Sequence, residues 1–232
     1  MIDKRVDSVD AAVADVRDGM TIMIGGFGTA GQPAELIDAL VRQGARDLTI
    51  VNNNAGNGDV GLALLLKARR VKKIVCSFPR QTDSWHFDKL YKEKALELEL
   101  VPQGNLAERI RAAGAGIGAF FTPTGFGTQL AEGKETRVIN GRPYVLEYPI
   151  DADFALIKAD RGDRWGNLAY RKTARNFGPI MASAARCTVA QVQEVVELGE
   201  LDPEIVVTPG IFVKRVVAIP SPDPSATPQA EA

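Results

Sequence analysis

Two cysteines and one histidine are all this 232-residue chain offers of the side chains that most often bind zinc or run thiol chemistry. Cys76 and Cys187 lie far apart, and neither has a Cys or His close by in sequence. That excludes a zinc site and a CxxC redox pair, and no metal is expected. A charge excess is also missing: 28 basic residues face 29 acidic ones, for a formal net charge of −1. Nothing global draws such a chain to nucleic acid or an anionic membrane, so any anion must be held by a local site. No apolar run reaches the ~18 residues of a membrane span. Met1-Ile2-Asp3-Lys4-Arg5 leads into no apolar signal core. The expectation is a cytoplasmic protein with no nucleic-acid or membrane partner. The rest of the composition, 45% hydrophobic and 25% charged, is ordinary and suits one large α/β domain.

What is present is organised around one stretch. Thr21-Ile22-Met23-Ile24 reads as a buried strand running into Gly25-Gly26-Phe27-Gly28-Thr29-Ala30-Gly31. Pro33 suits a first helical position, where its missing N–H has no partner to lose. Leu36, Ile37, Leu40 and Val41 then share a helical face, and Gly44 is placed to end the helix. Strand, glycine loop and helix N-terminus together predict free N–H groups and a positive dipole end facing an anion.

The remaining chain continues the alternation. Ser8–Asp18 predicts a short amphipathic helix capped by Ser8. Strands are expected at Leu48–Val51, Lys72–Cys76, Leu96–Val101, Asp153–Ala159, Thr188–Val192, Ile205–Val207 and Phe212–Ile219. Glu97 and Glu99 are expected to point outward from theirs. Helices are expected near 60–68, 83–94, 106–113 and 178–186. Thr136–Leu146 predicts a β-hairpin turning at Asn140-Gly141. The fold expected is an open, mostly parallel α/β sheet flanked by helices, with that hairpin as an insertion. One domain spans 1–219, and the Pro/Ser/Ala-rich residues 220–232 are expected to be a disordered tail. Ligands on such sheets sit beyond the carboxyl ends of the strands.

Several constellations compete for the chemistry. Gly26-x-Gly28-x-x-Gly31 formally meets a dinucleotide fingerprint. However, the second strand ends in Asn52-Asn53-Asn54, where a nicotinamide enzyme wants a carboxylate for the ribose. Amides at a sheet's carboxyl edge can donate to a developing oxyanion without adding charge, and Gln103 on another strand exit can do the same. The plainer reading is that asparagines and glycines there only take left-handed turns and cap helices. The basic run Lys67–Lys73 reads as a solvated helix end, His86 as a surface or packing residue, and Trp85 and Trp165 as packing residues. Arg171, Lys172 and Arg175 either pair across an intersubunit surface or are solvated.

Taken together, these motifs resemble the class I CoA-transferases, in particular the A subunits of two-subunit 3-oxoacid CoA-transferases. Asp18 through Pro33 match the family's N-terminal signature at every position. Asn53–Gly56, Pro102–Arg111, Phe121–Gly125 and Ala174–Phe177 also look like family motifs. Cys76–Gln81 most resembles the 3-oxoadipate, succinyl-CoA-dependent A subunits of aromatic catabolism. The resemblance implies ping-pong transfer of CoA through a glutamate carried by the partner B subunit. The Glu-Asn-Gly motif expected around that glutamate is absent from this chain, so no catalytic nucleophile is expected here. The resemblance further assigns Gly25–Gly31 to CoA binding and places Asn53, Asn54 and Gln103 beside the thioester. No permanent cofactor is implied; coenzyme A thioesters are substrates, and the partner is the CoA-transferase B subunit in a heterodimer or heterotetramer. Arg80, following the third strand, is the candidate cation for the distal carboxylate of 3-oxoadipate. Alternatives are an A subunit of an acetoacetate or acetate transferase of the same build, a nicotinamide-dependent oxidoreductase, and a non-catalytic ligand-binding protein.

Overall fold

The computed structural model describes residues 1–219. The tail foreseen from Pro220 lies outside the described residues. The chain opens with α1 (Val9–Val13), β1 (Thr21–Ile24), α2 (Ala34–Gln43), β2 (Leu48–Val51), α3 (Leu62–Lys67) and β3 (Val71–Cys76). It continues through α4 (Trp85–Lys92), β4 (Glu97–Leu100), α5 (Gln103–Gly114), β5 (Phe120–Thr122), β6 (Thr136–Ile139) and β7 (Arg142–Glu147). The last part holds β8 (Ala152–Asp163), β9 (Leu168–Ala169), α6 (Gly178–Ala184), β10 (Ala185–Val196) and β11 (Val213–Ala218).

The main sheet has the order β11-β10-β8-β1-β2-β3-β4, with β9 pairing β8 off this path. Every neighbour along that order is parallel, and only β9 runs antiparallel. The chain first walks outward from β1 to β4, then returns to the other side of β1 with β8, β10 and β11. β1 therefore sits where the walk reverses, the place where open α/β sheets hold ligands.

The apolar run of β1 follows from this position. Ile22, Met23 and Ile24 are all fully buried because helices cover both faces. Successive side chains alternate between them. Ile22 and Ile24 pack with Leu36 and Leu40 of α2, Leu65 of α3 and Leu90 of α4. Met23 packs with Leu106 and Ile110 of α5 and Met181 of α6. Gly44 ends α2 at φ 96°, its N–H returned to Leu40 O. Only a residue without Cβ takes that conformation cheaply.

β5, β7 and β6 form a separate antiparallel sheet. The expected hairpin is there, with Asn140 at φ 50° and Gly141 at φ 76°, the two positive values a type I′ turn requires. Buried Glu147 ties this sheet to the body. It accepts from Asn105 of α5 at 3.2 Å and from Lys134 at 2.8 Å.

Several expectations are corrected. Pro33 stands one residue outside α2, as its N-cap. α1 stops at Val13 instead of Asp18. Ile205–Val207 forms no strand: Pro203 lacks an N–H, Asp202 caps Glu204, and the segment closes a 3-10 turn over Pro203–Ile205. β8 and β10 are both twelve residues long, and β5 and β9 escape the sequence reading. Glu99 is half-buried instead of outward, held between Lys73 at 2.8 Å and Arg109 at 2.9 Å.

Candidate functional site

The loops leaving β1, β2 and β3 and the start of α5 meet at the carboxyl edge of the sheet. The glycine loop after β1 is shaped by contact as much as by flexibility. Gly31 has φ 73°, and a Cβ there would stand 2.3 Å from the carbonyl oxygen of Ala174. The loop therefore packs directly on the backbone of residues 171–176. Asn176 clamps it with all of its amide's hydrogen-bonding capacity. Its Oδ1 accepts from Gly26 N–H at 3.2 Å and Phe177 N–H at 2.7 Å. Its Nδ2 donates to Ala30 O at 2.9 Å and Thr173 O at 2.8 Å.

The expected row of free N–H groups is mostly spent within the protein. Gly25 donates to Leu156 O, Phe27 and Ala30 bond each other across a tight turn, and Gln32 donates to Thr29 O. Gly28 N–H donates to Asn54 Oδ1 at 2.9 Å. Thr29 and Gly31 keep N–H groups without a partner among the described residues. The mouth of α2 is also taken: Leu36 N–H donates to buried Gln191 Oε1 of β10, and the carboxylate of Glu35 accepts from the same amide. The dipole end foreseen as an anion site is thus capped by the protein itself, because β10 lies beneath it.

Beside the loop lies a cluster of neutral amides. Asn52, Asn53 and Asn54 are 2%, 1% and 5% exposed, so none is a solvated turn residue. Asn52 has a supporting role: its Nδ2 donates to Ile24 O, and its Oδ1 accepts from Asn54 N–H at 2.8 Å. Asn53 Nδ2 donates to Asn54 Oδ1 at 3.2 Å. Asn53 Oδ1 accepts from Ser77 Oγ at 2.7 Å and from Gln103 Nε2 at 2.8 Å. Gln103 is the first residue of α5 and is exposed. Of the four amides it is the exposed one, and one N–H of its Nε2 has no partner among the described residues. No carboxylate, thiol, imidazole or cation among the described residues hydrogen-bonds into this group. The cluster can stabilise a negative oxygen, its amides cannot attack a thioester, and the Ser77 hydroxyl beside them has no base among its hydrogen-bond partners.

The structure brings together Asn53, Asn54, Gln103 and the glycine loop, and leaves Arg80 out. Arg80 Nε donates to Asp88 of α4 at 2.7 Å. Arg80 lines a surface cavity with Lys72, Lys92 and Glu97, and hydrogen-bonds to none of the amides. Much of the basic run is neutralised locally: Lys67 pairs with Asp59, Arg69 with Glu93, and Lys73 with Glu97 and Glu99. His86 also meets Asp59, at 2.9 Å. Cys76 is buried, and burial pushes its thiol up to about 12, which removes it as a nucleophile. Trp85 and Trp165 are each about half exposed (49% and 46%), so neither is a core packing residue. Arg171 and Lys172 line a cleft of about 300 Å³ with Gly31, Lys158, Asp160 and Gln193.

Sequence reasoning gave no role to Ser77 or Asn176. Ser77 was visible only as a member of the Cys76–Gln81 motif. The tight Ala174-Arg175-Asn176-Phe177 run before a glycine-started helix was the only available sign of Asn176.

A family model described as coenzyme A transferase matches residues 6–218. The A subunit of the 3-oxoadipate CoA-transferase of Pseudomonas putida is 70% identical over 219 residues, 94% of this chain and 95% of that one. Its namesake from Acinetobacter baylyi is 67% identical over 228 residues, 98% of this chain and 100% of that one. Among solved structures, an acyl-CoA transferase of E. coli O157:H7, a thioester complex with CoA, aligns with TM-score 0.82 at 23% identity. That match takes in 95% of this chain and 48% of the solved one, so this chain spans about half its length and shares its fold.

Proposed function

The chain belongs to the coenzyme A transferase family, and from that premise we propose that it is the A subunit of a two-subunit enzyme moving CoA from succinyl-CoA to 3-oxoadipate. The single observation that carries this reading is the amide cluster itself: oxyanion donors assembled on a strand edge, with no nucleophile among them. A polypeptide built this way complements a partner that brings the reactive carboxylate.

In the proposed cycle, a glutamate of the B subunit attacks the acyl carbon of succinyl-CoA, and the CoA thiolate leaves. The resulting acyl-glutamyl anhydride is opened by the same thiolate, which releases succinate and leaves a glutamyl-CoA thioester. The acceptor acid reverses these steps and departs as its CoA ester. Each step passes through a tetrahedral oxyanion. Gln103 is assigned to donate its remaining N–H to that oxygen, while Asn53 and Asn54 hold Gln103 and the glycine loop in place. Neutral donors suit this task. A fixed cation would also bind the ground-state carboxylates tightly, and only the interaction that strengthens in the transition state speeds the reaction. Gly25–Gly31 is assigned to the CoA thioester, with the N–H groups of Thr29 and Gly31 as its available donors.

The test is coexpression with the partner polypeptide and assay of succinyl-CoA against 3-oxoadipate, acetoacetate and acetate. The pair is expected to transfer CoA fastest to 3-oxoadipate, and the isolated chain is expected to be inactive. A solitary chain that turned over thioesters would overturn the proposal. Preference for acetoacetate or acetate would move the reading to a transferase of the same build.

A further inference from the structure

We propose that Ser77 is a positioning residue for the transfer step, acting on Gln103 through Asn53; the inference rests on the function just given. Gln103 is exposed, and among the described residues its side chain makes one hydrogen bond, to Asn53 Oδ1. Its aim is therefore only as firm as that oxygen. Asn53 Oδ1 is in turn held from behind by the Ser77 hydroxyl at 2.7 Å. Ser77 cannot drift, because its N–H donates to Asn53 O at 3.2 Å and the next N–H, of Phe78, donates to the same oxygen at 3.0 Å. Ser77 and Gln103 thus fill both acceptor positions of one amide that is 1% exposed, and one N–H of Asn53 Nδ2 donates to Asn54 Oδ1. The order is hydroxyl, buried amide, exposed amide, oxyanion. Each bond orients the next group, and Ser77, on the exit of β3, is where the chain of bonds is anchored to the sheet.

The experiment uses the reconstituted two-subunit complex. Ser77→Ala is expected to lower kcat about tenfold, the loss of roughly one well-placed hydrogen bond, with KM within about twofold. Ser77→Thr keeps the hydroxyl and is expected to restore kcat to within about threefold of wild type. Ser77→Cys keeps the volume while weakening the donor, and repeats the test if the alanine variant does not fold. In a Gln103→Ala background, Ser77→Ala is expected to add less than about twofold, because its effect passes through Gln103. A wild-type kcat for Ser77→Ala, a threonine variant as impaired as alanine, or a full tenfold loss retained without Gln103 would each overturn the role. A wild-type complex that transfers no CoA would instead overturn the function on which the role rests.

Discussion

Gly28 and Gly31 allow a paired test of how the glycine loop is built. Both have positive φ, 60° and 73°, so alanine at either pays a left-handed strain of roughly 1–2 kcal/mol. Their surroundings differ completely. A Cβ at Gly28 meets nothing within 4 Å, whereas at Gly31 it falls 2.3 Å from Ala174 O and 2.9 Å from Asn176 Nδ2. The first of these is backbone, so relief requires residues 171–176 to retreat by about 1 Å, at an overpacking cost of roughly 1–3 kcal/mol. Gly28→Ala should therefore cost about 1–2 kcal/mol and Gly31→Ala about 2–5. For a chain of this size each kcal/mol lowers Tm by about 2–4 °C. The expected losses are roughly 2–8 °C and roughly 4–20 °C, with Gly31→Ala always the larger of the two. The retreat would also pull Asn176 from Gly26 and Ala30, so kcat of the two-subunit complex should fall more for Gly31→Ala. Thermal unfolding of both variants beside wild type decides it. Equal losses of Tm would refute the claim that the loop is seated on the 171–176 backbone.

Three further outcomes are expected. Gln103→Ala should lower kcat of the complex on the order of 10²-fold with little change in KM; unchanged kcat would remove Gln103 from the oxyanion. Arg80→Ala should raise KM for 3-oxoadipate no more than for acetoacetate, since Asp88 holds its Nε away from the amide cluster; a selective rise would place Arg80 at the distal carboxylate after all. Burial opposes ionisation of Glu99, but the bonds from Lys73 and Arg109 outweigh it and hold its carboxyl below the ordinary range. Its contribution to stability is thus present above the unfolded-state value of about 4.3 and lost as pH falls through the lower folded value. Glu99→Gln should flatten the acid dependence of Tm below about pH 4, and an unchanged slope would count against the pairing.

Much of the fold was readable because it is written locally. The apolar run of β1, the φ demand at Gly44 and the Asn140-Gly141 turn are each set by neighbouring residues. The asparagine run and Gln103 were readable as a site because strand–helix alternation alone puts their loops at one edge. What escaped depends on remote partners. Gln191 caps α2 from 155 positions away, and no window around Pro33 contains that fact. The pull of Asp88 on Arg80 spans eight residues but needs the loop's path to be known. β8 and β10 exceed their apolar runs because they pair with each other along their length, past the polar residues Glu194 and Arg161. Ile205–Val207 is β-branched enough to suggest a strand, and Pro203 with Asp202 decides otherwise.

The central place of β1 has a consequence for biogenesis. On one side it pairs with β2, which follows within some thirty residues; on the other it pairs with β8, Ile22 lying against Phe154. As the chain leaves the ribosome, that second edge stays open while about 130 further residues are made, on the order of ten seconds at ordinary elongation rates. An apolar strand with a bare edge invites stray pairing for all that time. The glycine loop waits longer still, since its clamp, Asn176, stands 150 positions downstream of Gly26. The loop can therefore take its final shape only once about three-quarters of the 232-residue chain has been synthesised, and shorter products would lack the clamp that holds it.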